Sequence, residues 1–482
     1  RLRFAAPDVA LCMIRVCSMG RRGMVQGRIT IHTVAAACMA AAAAGAGGGS
    51  GGLGFVGNVG GLLLHAPRVA LRRHGGLCRR PLAAGCRLGA KLGALGLAAS
   101  DDLDEDIAEA REAGKLKVFE LDSFTLLSGE KMKNVSVVYE VHGTINKEGT
   151  NVILQPTSFG ASHKDQRYRI GRGPEYTLDT TDNAVVVMNL LGNGVSTSPS
   201  MVGSLSKWKY PTLHDNAVLM KRLIEEDLNV KGALRMVFGY STGAMAALQF
   251  GCLYPKRVER IAAICGTAKT TPHSRVFLKS IRLSLCADPA WDAANETFTE
   301  RPGAGLRAAG AIWAGNGLSA DFFRQEEFLC EDEDGGVRSL DDFVEDTIEK
   351  FETMDAHDII AQLFQWDTAD ISNNDKYKLD LGDALGSIRA LTWMMPCRTD
   401  GLVTTDDVEQ ELSLVPLGDD EDDGDESREM SREPGRDTDQ FEVHEIPSTW
   451  GHWAGDPKRS QQQLHAEWIR DNVHELLRKA RV

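Results

Sequence analysis

Paired cysteines are missing from this sequence. Ten Cys occur in 482 residues, yet none forms a C-x-x-C pair and none falls at zinc-ligand spacing. That argues against a disulfide framework and a structural zinc, and for free thiols in a reducing compartment. A basic excess is missing from the body as well. Residues 101–482 carry 41 Lys or Arg against 67 Asp or Glu, so no nucleic-acid partner is expected, because phosphate backbones are bound by basic patches. Residues 29–67 lack Lys, Arg, Asp and Glu altogether. Their many Gly and Ala are too weakly apolar for a stable membrane span. Between 35 and 61 the chain is mostly Ala and Gly and cannot bury enough side chain to offset its entropy. Acidic residues are nearly absent from 1–100, where Asp8 stands alone against 13 bases. This region reads as a low-complexity leader with the composition of a transit peptide, which points to a plastid or mitochondrion, with a secretory or membrane segment and a mistranslated leader as the alternatives; without it the expectation is cytoplasmic. The chain starts with Arg1 rather than Met, so a missing true N-terminus is expected.

What is present is ordinary for a soluble globular protein: 43% hydrophobic and 25% charged residues. After an acidic start at Ser100–Glu105, strand-like runs appear at Lys117–Leu121 and Val135–Val141. Ser128-Gly129-Glu130 separates them, as in an antiparallel hairpin. Asn151–Gln155 and Ala184–Asn189 are continuous apolar runs, as expected of strands buried on both faces. A helix-like segment at Asp215–Asp227 follows, then strands at Leu234–Phe238 and Ile261–Cys265. Alternating strands and helices predict an α/β fold with a mostly parallel, doubly wound sheet. From Pro272 to about Gly386 helix-like segments dominate, including Leu340–Met354 and His357–Gln365. This predicts a helical cap (272–386) inserted between core parts 101–271 and 387–482. Strands return at Ala390–Met395 and Phe441–Ile446, separated by the acidic stretch 418–439, read as a solvated disordered loop. Residues 461–480 read as a closing amphipathic helix.

The stretch Leu234–Phe250, LRMVFGYSTGAMAALQF, is a strand, a Gly-x-Ser-x-Gly turn and a helix-prone run. This is the context of a nucleophile elbow, with Ser241 projecting from a sharp turn. A second match, Gly48–Gly52, lies in low-complexity sequence with no strand before it. A Ser nucleophile needs a base and an acid that orients the base. In doubly wound hydrolases these follow in the order Ser, acid, His. His452 sits just past the last strand, where sheet ligands bind. His273, His357, His444, His465 and His474 are the other downstream candidates. Asp400 follows the preceding strand, with Asp406 and Asp407 as alternatives at a helix start. An oxyanion would be held by the amide of Thr242 and that of Thr157 or Ser158, in the loop after the third strand.

With these residues assembled, the body resembles the homoserine O-acetyltransferase-like family of the α/β-hydrolase superfamily. The resemblance runs from about Phe119 to Leu477, through Asn189–Gly194, Val237–Ala247, Ala287–Trp291, Gly305–Ser319, Met395–Asp400 and Trp450-Gly451-His452. It implies the α/β-hydrolase fold with a helical cap, Ser241, Asp400 and His452 as triad, and the amides of Ser158 and Thr242 as oxyanion hole. It also implies no bound cofactor, acetyl-CoA or another acyl-CoA as co-substrate, small-molecule acyl donor and acceptor as partners, and a homodimer. Two departures stand out. The family's homoserine enzymes carry an Asp directly after the catalytic His, where this chain has Trp453. They also carry an Arg in the cap that pairs the substrate carboxylate. Here Gly310 aligns with it and Arg307, nearby, is the substitute candidate. The expected activity is ping-pong acyl transfer from a CoA thioester to a hydroxyl acceptor. A serine esterase or thioesterase is the alternative, and a non-catalytic ligand-binding protein of the same fold the third reading.

Overall fold

The computed structural model of the chain describes residues 116–329, 338–416, 440–456 and 463–479. The expected leader (1–100) and the acidic loop (418–439) lie outside the described residues. Eight strands form one sheet: β1 (Leu116–Thr125), β2 (Lys131–His142), β3 (Val152–Pro156), β4 (Ala184–Met188), β5 (Met236–Tyr240), β6 (Arg260–Ile264), β7 (Leu391–Met395) and β8 (Phe441–Val443). Their spatial order is β1-β2-β4-β3-β5-β6-β7-β8. The β1–β2 hairpin pairs antiparallel, as does β2 with β4; every other pairing in the sheet is parallel. All five residues of β3, β4 and β7 are buried, which the unbroken apolar runs require.

Most strand ends differ from the sequence expectation by a residue or more, and three of the differences lie near the site. β5 runs on through Gly239 and Tyr240, which pair with Ala263 and Ile264. β6 stops before Cys265, whose φ of 47° leaves the strand region. β8 ends at Val443, and Ile446 rejoins the sheet through a single bridge to Cys397.

Among the described residues two core α-helices precede the insertion. Helix α1 (Leu213–Arg222) opens with a Thr212/Asp215 capping box. Helix α2 (Thr242–Leu253) is apolar almost all round, because it is packed between α1 and the sheet. Among the described residues six helices separate β6 from β7: α3 (Pro272–Cys286), α4 (Gly303–Gly317), α5 (Ala320–Arg324), α6 (Leu340–Thr353), α7 (Ala356–Asp367) and α8 (Leu381–Gly386). They meet the carboxyl end of the sheet through an aromatic cluster. Phe159, just after β3, stacks on Trp313 of α4 at 5.0 Å and 20°. Trp313 also meets Phe277, Phe351 and Trp366. Helices α9 (Thr405–Leu412) and α10 (Gln463–Arg478) complete the chain. Among the described residues no helix is long and apolar enough to cross a membrane. The described cysteines, Cys252, Cys265, Cys286 and Cys397, are free thiols.

Candidate active site

The turn from β5 into α2 holds Ser241 at φ 55° and ψ −125°, a conformation costly for a residue with a side chain. Two glycines make it feasible by letting backbones meet. A Cβ on Gly239 would lie 2.2 Å from the Gly243 carbonyl oxygen, and one on Gly243 would lie 2.8 Å from that of Pro156. The elbow is thereby pressed against the loop that follows β3.

The Ser241 Oγ lies 2.8 Å from His452 Nε2, and His452 Nδ1 lies 2.7 Å from Asp400 Oδ2. All three side chains are buried. The other oxygen of Asp400 accepts from the amides of Leu402 at 2.8 Å and Val403 at 3.1 Å. The carboxylate is therefore fixed from both ends, and it sets the imidazole with Nδ1–H toward the acid and Nε2 toward the serine. The His452 loop is tied down separately. Gly451 N donates to Thr399 Oγ1, Thr399 Oγ1 donates to Ser448 O, and Tyr240 Oη donates to His452 O at 3.0 Å. The Trp366 ring of α7 lies over the imidazole at 5.8 Å and 23°.

Cys265 brings a thiol to the same place, within 4.8 Å of a carboxylate oxygen of Asp400 and a ring nitrogen of His452. Burial, then the nearby Asp400 charge, pushes that thiol well up, so it stays protonated. The histidine and aspartate atoms bond each other and Ser241.

Of the two amides open in the loop after β3, Thr157 N donates to Met188 O at 3.0 Å. Among the described residues the amide of Ser158 has no acceptor, nor has that of Thr242 at the first position of α2. Thr242 directly follows Ser241, and Ser158 belongs to the loop against which the elbow is pressed. Beside them is a cavity of about 210 Å³ lined by Ser158, Phe159, Tyr240, Trp313, Phe351 and Trp453. Its charged members are Asp346, Lys350 and Asp456, so the lining carries no net positive charge. Asp456 is ion-paired with the buried Arg169 and accepts from Tyr168 Oη at 2.7 Å.

Arg307 is elsewhere. It is absent from the cavity lining, and its guanidinium bonds Glu345 at 2.7 and 2.8 Å and Glu352 at 3.2 Å on the exposed side of the insertion. Gly310 cannot host a longer side chain in place, because its Cβ would lie 2.7 Å from the Ile348 Cα. The expectation of Arg307 as a substrate anchor is withdrawn on this geometry. The alternative acids have other partners or face solvent: Asp407 closes a capping box with Thr404, and Asp406 is exposed on α9. Of the other histidines, His357 bonds Asp355 and Thr297, His444 stacks on Trp393, and His474 bonds Tyr176 O. Sequence reasoning did not find Tyr240, Trp366 or the Arg169–Asp456 pair. Trp366 falls just past the predicted helix end at Gln365, and Tyr240 occupies a variable position of the elbow pattern.

No family model matches the chain. A probable esterase of Corynebacterium glutamicum is 29% identical over 320 residues, covering 65% of this chain and 89% of that protein. An ethyl acetate hydrolase of Pseudomonas veronii is 30% identical over 308 residues, covering 63% and 86%. A homoserine O-acetyltransferase of Methanococcus vannielii is 26% identical over 321 residues, covering 61% and 64%. Among solved structures, an acetylester hydrolase from Corynebacterium glutamicum superposes with a TM-score of 0.65 at 25% identity, covering 77% of this chain and 98% of that one. Fold and relatives together define an enzyme of the α/β-hydrolase superfamily. The chain belongs to its homoserine O-acetyltransferase-like group, which holds both ester hydrolases and acetyltransferases.

Proposed function

We propose that this protein is a serine esterase for small, uncharged acyl esters, acetyl esters first. The observation that carries the reading is the cavity lined by Ser158 and by Tyr240 and Trp453, the chain neighbours of Ser241 and His452: it is small and walled by Trp313, Trp453, Phe159 and Phe351. Arg307, the cation nearest in sequence to the family's carboxylate anchor, is bound to glutamates outside it. Two of the cavity's charged members, Asp346 and Asp456, are already ion-paired, with Arg338 and Arg169, so an amino-acid acceptor would compete for their charge. The hydrolases among the relatives support the same order of preference.

His452 Nε2 takes the proton of Ser241 as Oγ attacks the ester carbonyl. The carbonyl oxygen gathers negative charge opposite the amides of Ser158 and Thr242. As the tetrahedral species collapses, the C–O bond to the alcohol breaks and His452 returns the proton to the departing alcohol. A water then attacks the acyl-serine, losing its proton to His452; as the second tetrahedral species collapses the acyl–Oγ bond breaks, His452 returns that proton to Ser241 Oγ, and the acid leaves. Asp400 keeps the imidazole oriented and stabilises its cationic form.

Transfer to an alcohol is the second reading, favoured by one feature: the apolar walls that limit water would also let an acceptor hydroxyl compete for the acyl-serine. Turnover of p-nitrophenyl acetate by wild type and Ser241→Ala tests the first reading. The substitution is expected to bring activity to background, a loss on the order of 10⁵–10⁶. Turnover of acetyl-CoA with homoserine at the ester's efficiency would reverse the order of the two readings.

A further inference from the structure

Helix α7 turns one buried stripe to the core. Asp358, Gln362, Gln365 and Trp366 share a face by helical spacing, and each engages a different core segment. Asp358 Oδ1 accepts from Ser200 N at 2.9 Å. Gln362 Oε1 accepts from Gly160 N at 2.9 Å. Gln365 bonds Leu191 O at 2.6 Å and Asn216 Nδ2 at 3.0 Å. Trp366 covers the His452 ring. One helix of the insertion therefore touches both the base and the loop that carries the Ser158 amide.

The Gln362 contact matters because of what it brackets. In the loop after β3, Thr157 N is held by Met188 O. The chain then turns, with Ala161 N donating to Ser158 O at 3.2 Å and Gly160 at φ 64°. The Ser158 amide lies between two anchors, Thr157 on the sheet side and Gly160 on the α7 side. The second anchor is a single side chain, Gln362, itself buried and steadied by its Nε2 donating to Asp358 O at 3.3 Å.

We infer that Gln362 is a positioning residue for acyl transfer: by accepting from Gly160 N it holds the Ser158 amide in the direction from which it meets the oxyanion. This rests on the reading of Ser241 as nucleophile. Gln362 touches no reacting atom; it acts through the loop. Without it Gly160 is free to rotate, and the Ser158 N–H loses a fixed direction just when charge develops. Such an effect falls on the transition state and spares the ground state, where the ester carbonyl needs the amide less.

Gln362→Met keeps the length and removes the acceptor, while Gln362→Glu keeps an oxygen that can accept from Gly160. Both are compared with wild type and Ser241→Ala on p-nitrophenyl acetate, with inhibition by a trifluoromethyl ketone that forms a tetrahedral adduct on the serine. For Gln362→Met, kcat is expected to fall about ten- to a hundredfold, less than the full loss of an oxyanion donor. KM should stay within about twofold and ketone affinity should fall in step with kcat. Gln362→Glu should recover most of the rate. A Gln362→Met enzyme with wild-type kcat beside an inactive Ser241→Ala overturns the inference and leaves the nucleophile standing. Equal loss in both Gln362 variants, tracking a lower melting temperature, overturns it too and makes Gln362 a packing residue. Activity surviving in Ser241→Ala sinks the esterase reading itself.

Discussion

Ser241 is held in a backbone conformation that other residues must support, and the support comes from two missing side chains. At Gly239 and Gly243 an added Cβ would meet backbone oxygens at 2.2 and 2.8 Å, and backbone does not move aside as a flexible side chain does. Gly239→Ala should therefore lower stability by about 1–3 kcal/mol, the usual effect of forcing extra atoms into a packed site, and lower activity as the elbow shifts. Thermal unfolding beside ester turnover checks this; wild-type values of both in the Gly239→Ala protein would mean the turn has slack. Asp400→Asn keeps the shape but offers an amide to His452 Nδ1, which favours the wrong tautomer. A drop in kcat of about ten-thousandfold is expected, with little change in melting temperature. Ser241, Asp400 and His452 were legible in the sequence because each follows a strand in the order the chemistry requires. Ser158 over Thr157 came from the family resemblance alone, because in the residues themselves that choice depends on Thr157 N being taken by the end of β4. Arg307 was misleading for a similar reason: spacing gives a residue's height on a helix, but only packing tells which face looks inward.

Elements are joined in this protein by buried carboxylates, and their titration gives the stability a pH slope. Glu411 of α9 reaches the segment after β6 and accepts from Ala268 N at 2.7 Å and Lys269 N at 2.9 Å. Burial, against those two amides, pushes it up to about 8 from an ordinary 4.5. Burial likewise pushes Asp358 of α7 up to about 7, with Asp355 adding to the effect. A raised carboxyl binds its proton more tightly folded than unfolded. The stability it contributes is full below the unfolded value and is lost as pH rises through the folded one. Both groups therefore weaken the fold between about pH 4 and 8. Glu140 works oppositely: burial alone would raise it, but bonds to His142 and Arg167 outweigh that and hold it at about 2. Its contribution is present above 4.5 and lost as pH falls toward 2. The melting temperature should peak on the acid side, near pH 5, and fall toward pH 8. Glu411→Gln removes the charge but sets an NH2 against one of the two backbone donors, so it should melt below wild type at pH 5 and lose less than wild type between pH 5 and 8. A wild-type melting temperature that climbs from pH 5 to 8 would contradict the buried-carboxylate account. The helices that these groups join were visible as periodic segments, α6 and α7 nearly to the residue. Their docking was not, because Gln362, Gln365 and Glu411 read in sequence as ordinary surface polar residues, and only the fold shows that each reaches a buried backbone partner.

The whole molecule adds a field to the pocket. Residues 101–482 carry 67 acids against 41 bases, a formal charge of −26. An acyl-CoA donor brings several negative charges of its own, so it approaches against a repulsive potential that a neutral ester does not feel. Repulsion of this kind is screened over about 10 Å at 0.1 M salt. The two donor classes should then part company in a salt titration. For p-nitrophenyl acetate, kcat/KM should change less than about twofold between low and high ionic strength, because neither ground state nor encounter depends on net charge. For acetyl-CoA, kcat/KM should be at least about a hundredfold lower at low salt and rise as salt is added. Arg307 of the insertion does not counter the repulsion, because its guanidinium is already tied to Glu345 and Glu352. Acetyl-CoA turnover that equals ester turnover and falls with salt would mean that a basic path to Ser241 exists, and would move this chain from the hydrolase side of its family to the transferase side.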